Sequence, residues 1–406
     1  MDIRPILSSL SRHKTAAALI VLEIALSCAI ICNALFIVSN RIDAMQMASG
    51  VDDDKLIEIG LSGIGKQNDA DARTAQDLAA LRAIAGVSNV TIVNQLPFQY
   101  GSWNTSLSAS LEPDAQSING AQYMAAENTL ATLGLQLVSG RDFHADEYRS
   151  MDALKETTDL SALHSPIILS DALAREFFPA GDAVGKTLYM MNIPVTIVGV
   201  VDTLLRPNTM NNNRTHSMIF PFRTSYVDGR YVIRTEDPAR RAEILKQAVA
   251  ALEKNDPNRL IWNQHTVSHK RAAYFANDRD MIGLLLIVSA LLLLVTGLGI
   301  VGLASFWVQQ RTKQIGIRRA LGATRGQILR YFQTENFLLA SLGIIIGMLL
   351  AFLLNHALMS RYELPRLPWI YLPVGAIALW LLGQLAVLGP ARRAAAIAPA
   401  TATRSA

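Results

Sequence analysis

Arg311–Arg330 reads RTKQIGIRRALGATRGQILR, and what flanks it decides the fold. The stretch holds six Lys/Arg (Arg311, Lys313, Arg318, Arg319, Arg325, Arg330) and no acid. A 28-residue uncharged run, Met281–Val308, precedes it, and a 25-residue uncharged run, Asn336–Ser360, follows. Apolar runs of that length suffice to cross a bilayer as helices. A short basic loop between two such helices faces the cytoplasm under the positive-inside rule. Ile315, Ile317, Leu321 and Ile328 interrupt the basic residues, and Gly322 marks a helix end. The expected element is a short amphipathic helix on the cytoplasmic face, with something to touch there.

The composition agrees. The chain has 406 residues, 51% hydrophobic and only 17% charged, too apolar for an ordinary soluble protein. The net charge of +4 hides a split: residues outside 39–280 carry 14 Lys/Arg and four Asp/Glu (+10), the middle 23 and 29 (−6). The basic charge therefore belongs to membrane-flanking segments, and no aromatic-interleaved basic patch points to nucleic acid.

Working outward gives the remaining spans. Arg4, Arg12 and Lys14 precede an apolar run at 16–38, read as an uncleaved anchor with a cytoplasmic N-terminus at 1–15. Further spans are expected at 281–308, 336–358 and 369–388, with the basic loop at 309–335 and a cytoplasmic tail at 389–406. Cys28 and Cys32, the only cysteines, share one face of the first span and suit small-residue packing. Glu23 is an expensive group in that span, expected to face protein or water, with a hydrogen bond to a neighbouring helix or a place in a proton or substrate path as the two alternatives. Gly343, Gly347 and Ala351 form a small-residue ridge suited to close helix packing, within the chain or between copies.

Residues 39–280 are then extracytoplasmic and mixed in character. Lys55–Leu61 alternates like a strand, Leu78, Leu81 and Ala85 follow at helical spacing, and Asn89–Val93 returns as a strand. The order recurs: strand Arg230–Thr235, a helix capped by Asp237 with Pro238, and an extended piece from Leu260. Two such βαβ units with an insertion at about 111–185 give an extracytoplasmic α+β domain. If the two strands of a unit pair in parallel, right-handed crossovers follow. A charged helix from about Asn263 to Asp280 is expected to run into the second span.

The basic loop also carries a resemblance. Gln314, Ile315, Gly316, Ile317, Arg318, Arg319, Ala320, Leu321, Gly322 and Ala323 resemble the signature of ABC-transporter permeases of the FtsX/MacB type, departing only at Gln314, where the family usually has an acid. Ser165–Val201 similarly resembles the MacB-type periplasmic domain in the order of its strand, short helix, Phe-Phe-Pro turn, Gly-Lys turn and long Val/Ile strand. The resemblance implies an α-helical membrane protein with four transmembrane helices and a porter-like outer core, in the bacterial inner membrane with both termini cytoplasmic and the large domain periplasmic. It implies that Gln314–Ala323 docks on a separate cytoplasmic ABC ATPase dimer, which holds the ATP and Mg, while this chain is a permease without an enzyme site or cofactor of its own. A second permease copy or a paralogue, a periplasmic adaptor with an outer-membrane channel, and membrane lipids are the implied partners. The implied activity is mechanotransmission driving export of antibiotics, peptides or similar substrates. Lipoprotein extraction and an FtsX-like signalling scaffold acting on envelope enzymes are the alternatives.

Other chemistry-like patterns are weak. Gly181–Thr187 imitates a phosphate-binding loop but has three residues between its glycines where four are required. His265 and His269, four apart, lack the glutamate of a zinc helix and a third ligand. Asp52–Asp54 lacks the 12-residue calcium pattern.

Overall fold

The computed structural model describes residues 14–63, 69–112, 114–151, 165–209, 213–362 and 368–397, with backbone alone for 358–362. The basic segment 1–13, residues 363–367 between the expected third and fourth spans, and the tail beyond 397 lie outside the described residues. The chain divides into a helical unit, Met1–Met45 with Asn277–Ala406, and a mixed unit, Gln46–Ala276.

The first apolar run forms α1 (Lys14–Gln46). The mixed unit opens with β1 (Leu56–Gly63), α2 (Ala70–Arg82) and β2 (Val87–Val93). It continues through β3 (Asn104–Ser108), β4 (Ser117–Met124), α3 (Thr129–Leu133), β5 (Leu137–Gly140), β6 (Arg149–Ser150) and β7 (Ser165–Ser170). There follow α4 (Asp171–Phe177), β8 (Thr187–Met190), β9 (Ile193–Val201), β10 (Ser217–Phe220) and β11 (Phe222–Arg223). It closes with β12 (Arg230–Thr235), α5 (Arg241–Asn255), β13 (Arg259–Thr266) and α6 (Val267–Tyr274).

Both expected strand–helix–strand segments are present, but their strands do not pair within a segment. The sheet order is β13-β1-β12-β2, antiparallel at every step, so the two segments interlock as split βαβ units and no parallel crossover pairing arises. Interlocking lets α2 and α5 share a single core with the sheet, built from Ile57, Ile59, Leu81, Ile244, Ala248 and Leu252. The other face is covered too: Leu56, Val93 and Val232 enter a second cluster. Coverage on both sides is why Leu56 to Leu61 is buried without interruption. The buried Asp77 of α2 accepts hydrogen bonds from Arg259 (3.0 Å to Nη2), Tyr231 (2.7 Å) and Asn255 (2.9 Å), fastening helix to sheet.

The second sheet has the order β5-β9-β7-β10-β4-β3-β8, and β8 also pairs with β9, so it closes on itself. It runs from Asn104 to Phe220, wider than the insertion expected at 111–185, because β3, β9 and β10 join it through ladder pairing that local composition does not display. Its interior is apolar, with Leu107, Ile167, Leu169, Val195, Ile197 and Met218.

The charged helix expected from Asn263 starts later. β13 continues to Thr266, whose hydroxyl accepts from the His269 backbone N–H (3.2 Å) and caps α6, and helical hydrogen bonding breaks at Phe275. α6 is tied down by charge. Glu58, fully buried, accepts from Lys270 (2.6 Å) and Arg230 (2.9 Å), while Arg271 reaches Asp53 (2.7 Å) and the Met47 carbonyl (2.8 Å). Burial draws the Lys270 ammonium below its usual range, with Glu58 opposing.

The chain ends with α7 (Ala276–Gln310), α8 (Thr312–Ala320), α9 (Arg325–Tyr362) and α10 (Tyr371–Ala396). Among the described residues, α1, α7, α9 and α10 are long and apolar enough to cross a membrane. Four spanning helices plus an α+β domain is the fold class expected from the sequence. The helices outrun the apolar runs, because backbone hydrogen bonding along a helix does not depend on apolar side chains. α10 begins at Tyr371 rather than at 369 and carries Pro390 inside it rather than after it.

α1 is the central helix of this unit: 61% of its most apolar stretch is buried, against 17–33% for the others. Glycines let its neighbours approach. A Cβ on Gly343 would fall 2.9 Å from Ile24 Cβ, one on Gly347 2.5 Å from Cys28 Cβ, and one on Gly375 2.5 Å from Cys32 Sγ. The Gly343-Gly347-Ala351 ridge of α9 thus lies against α1 within the chain, and the Ala351 carbonyl accepts from Asn33 (3.2 Å).

Candidate functional site

The basic stretch folds as α8 between two long helices, and its local chemistry stops it fraying. At the C-terminus Gly322 takes φ +98°, the Ala323 N–H bonds the Arg318 carbonyl (3.0 Å) and the Gly322 N–H bonds the Arg319 carbonyl (3.2 Å). This is a Schellman closure, which a residue with a Cβ would strain. Two residues on, Thr324 and Gln327 exchange side-chain-to-backbone bonds (2.9 and 3.2 Å), a capping box that starts α9.

The ten-residue motif separates into two faces. Ile315 and Gly316 turn inward, Ile315 packing in one cluster with Ile328 and Phe332 of α9. Gln314, Ile317, Arg318, Ala320, Leu321 and Gly322 are exposed, and Arg319 and Ala323 are half-buried. Leu321 is 83% exposed and Ile317, one turn earlier, 45%. Lys313 and Arg318 flank this apolar pair, and the Arg318 guanidinium lies 5.1 Å over the Tyr331 ring. An apolar ridge edged with cations can enter an apolar groove rimmed by acidic residues on a protein partner.

Sequence reasoning missed the residue that holds α8 in place. Arg311, at the one-residue junction between α7 and α8, is buried and donates from Nη1 to both oxygens of Glu335 (3.0 and 2.9 Å). Its guanidinium also lies 5.5 Å over Trp307. A signal was available: Glu335 is the only acid between Met281 and Tyr362, and it immediately precedes an uncharged run.

The remaining candidates scatter. The Glu23 carboxylate sits against Gly299 of α7 (a Cβ there would lie 2.6 Å from Oε2) and makes no hydrogen bond or ion pair among the described residues, so the expected bond to a neighbouring helix is absent. One turn on, Ser27 bonds Thr296 (2.8 Å). Cys28 and Cys32 are free, buried and 4.0 Å apart. His265 lies on β13 and His269 on α6, so the pair does not share a helix, and no group of three metal-ligating side chains occurs among the described residues. Asp52 and Asp53 are taken up by Arg234 and Arg271. Gly181–Thr187 forms the turn that leads into β8, which Thr187 begins, with Lys186 paired to Asp182 (3.3 Å).

The comparisons with known proteins add a family. The model for the MacB-like periplasmic core domain matches residues 17–251, more than half of the chain. The chain belongs to the MacB-type permease family. The FtsX-like permease C-terminal model matches residues 286–399 of this MacB-like permease, the part that contains α8. The macrolide export ATP-binding/permease protein MacB of Chromobacterium violaceum is 26% identical over 280 residues, 66% of this chain and 40% of the relative. An uncharacterized ABC transporter permease, YvrN of Bacillus subtilis, is 24% identical over 282 residues, 64% of this chain and 68% of the relative. The permease thus spans less than half the length of the MacB relatives it matches first. Among solved structures, the extracellular domain of the noncanonic ABC-type transporter YknZ aligns over 51% of this chain and all of its own, at 18% identity and TM-score 0.32. The periplasmic region of MacB from Actinobacillus actinomycetemcomitans aligns over 54% of this chain and 94% of its own, at 15% identity and TM-score 0.32.

Proposed function

We propose that this MacB-like permease converts ATP hydrolysis by a separate cytoplasmic ABC ATPase dimer into movement of its extracytoplasmic domain. The supporting observation is α8: rigidly capped, anchored on its inner face, and presenting Ile317 and Leu321 between cations on its outer one. In this reading Gln314–Ala323 docks on the ATPase, which binds the ATP and Mg. Both termini and α8 lie in the cytoplasm, and the mixed unit lies in the periplasm of a bacterial inner membrane. Two copies, or this chain and a paralogue, face the ATPase pair. Macrolide export, for which the MacB relatives are named, supports outward movement of antibiotics, peptides or similar cargo, with a periplasmic adaptor and outer-membrane channel as further partners.

The experiment is purification of the tagged permease from its native membrane in mild detergent. A stoichiometric ATPase is expected with the wild type. Because two apolar contacts and one cation would be replaced by acids at an exposed face, Ile317→Glu with Leu321→Glu, and separately Arg318→Glu, should cut the recovered ATPase by at least about tenfold, the equivalent of ~1.4 kcal/mol. Equal recovery with intact wild-type and variant permeases would overturn the docking assignment.

A further inference from the structure

We infer that the outward face of the second sheet binds an uncharged oligosaccharide, at a site that does not depend on the ATPase-coupling reading above. The strand register builds it. Ser106 of β3 lies opposite Asn119 of β4, and Ser108 lies opposite both Ser117 of β4 and Tyr189 of β8. The alternate row, Leu107, Ile118 and Met190, is buried in the apolar interior. Side chains alternate across a strand, so the polar row shares the outer face with Asn104. These residues line a cleft of about 580 Å³, within the size range of small-ligand sites.

A merely solvated strand face needs none of what lies beneath this one. Arg206 is 4% exposed, and among the described residues its side chain bonds only neutral acceptors. Nη2 donates to Asn104 Oδ1 and to Asn119 Oδ1 (2.9 Å each), and Nη1 donates to the Asn119 carbonyl (3.3 Å). Burying a cation without a counter-charge is costly, and an arginine can only donate. This one draws both amide oxygens toward itself and so turns each Nδ2 away, to the cleft side. Those donors are under-used. Asn119 Nδ2 reaches the Thr105 carbonyl and Ser106 Oγ only at 3.4 Å each, and Asn104 Nδ2 has the Ser102 carbonyl at 3.2 Å with its second hydrogen to spare.

The ligand class follows from this set. Glu112 is the only charged residue lining the cleft; the others offer hydroxyls, amides and the apolar Leu111 and Met191. A saccharide presents hydroxyls that both donate and accept, together with apolar C–H faces. The hydroxyls suit Ser106, Ser108 and the two oriented amides, and the C–H faces suit the Tyr189 ring. Met191 and Asn192 form the two-residue turn from β8 to β9, and Met191 stands 76% exposed at the rim, a further apolar contact. Glu112 works against an acidic sugar.

The test uses the full permease in lipid nanodiscs, free of sugar-based detergent. Cellotetraose, chitotetraose and tetragalacturonate are titrated and followed by saturation-transfer NMR. Saturable binding of a neutral tetrasaccharide is expected with a Kd below about 1 mM, and the acidic one should bind at least about tenfold more weakly. Asn104→Asp with Asn119→Asp keeps an acceptor for Arg206 at both positions but replaces both Nδ2 donors by oxygens. It should weaken binding at least about tenfold while the melting temperature holds or rises, a split that a purely structural role would not give. Tyr189→Ala should weaken binding to a similar degree. No saturable binding of either neutral tetrasaccharide overturns the site, as does equal or tighter binding of the acidic one. Full affinity in folded variants overturns it too. Should the double variant fail to insert, Tyr189→Ala, on the outer face, decides alone.

Discussion

A buried titratable side chain discloses its state through what surrounds it. His216, in the mixed unit, is 7% exposed, with Nε2 3.0 Å from Glu176 and Nδ1 buried without a hydrogen-bond partner. Burial holds its imidazole below the usual value of 6.5; Glu176 opposes this and Arg206 reinforces it. Between that depressed value and about 6.5, the unfolded chain binds a proton that the folded chain refuses. Stability is therefore full above pH 6.5 and declines as the pH falls from there to the folded value, by about 1.4 kcal/mol for every pH unit that separates the two. Thermal melts of the detergent-solubilised permease between pH 5 and 8 should show this acid-side loss. In His216→Gln that slope should disappear, and an unchanged slope would remove His216 from the account. Arg311 and Glu335 teach the complementary lesson. Glu335 stands out in the sequence as a lone acid, but only its apposition to Arg311, 24 positions away, turns a loop cation and a helix acid into a buried pair.

At the scale of elements, caps and small residues decide more than apolarity does. Gly322 was legible as a helix end from its type alone, and the φ of +98° explains why glycine is needed there. Thr324 and Gln327 were legible in principle as a capping box. The extents of the spanning helices were not, because helical backbone hydrogen bonding continues past the apolar run. The α9 ridge yields a direct test. Gly347→Leu would insert a side chain where even a Cβ meets Cys28 at 2.5 Å and the Ala25 carbonyl at 2.6 Å. Overpacking of this kind costs about 1–3 kcal/mol, so the detergent-solubilised protein should unfold at lower temperature. Gly302, on α7 with open space at its Cβ, is the control, and Gly302→Ala should be near neutral. Equal melting of both variants would contradict the packing of α9 on α1.

For the whole molecule, charge asymmetry makes the proposed topology testable. In a background lacking Cys28 and Cys32, a cysteine at Leu321 should react with a membrane-impermeant maleimide only when the cytoplasmic face is opened, and one at Leu111 only from outside. The reverse pattern would invert the proposed orientation and remove α8 from reach of a cytoplasmic ATPase. Taken by itself, the sequence determined the number of spanning segments, the mixed α/β character of the stretch it bounded at 39–280 and the residue pattern of the loop motif. These follow from run length, local periodicity and contiguous residue types, all of which are short-range properties. Tertiary structure alone decided that the two βαβ segments interlock, that the inserted sheet closes over 104–220, that α1 is the central helix of its unit, and that Arg311 meets Glu335. Strand pairing, helix contact and buried charge apposition join residues tens to hundreds of positions apart, and no local pattern encodes which of the available partners will be met.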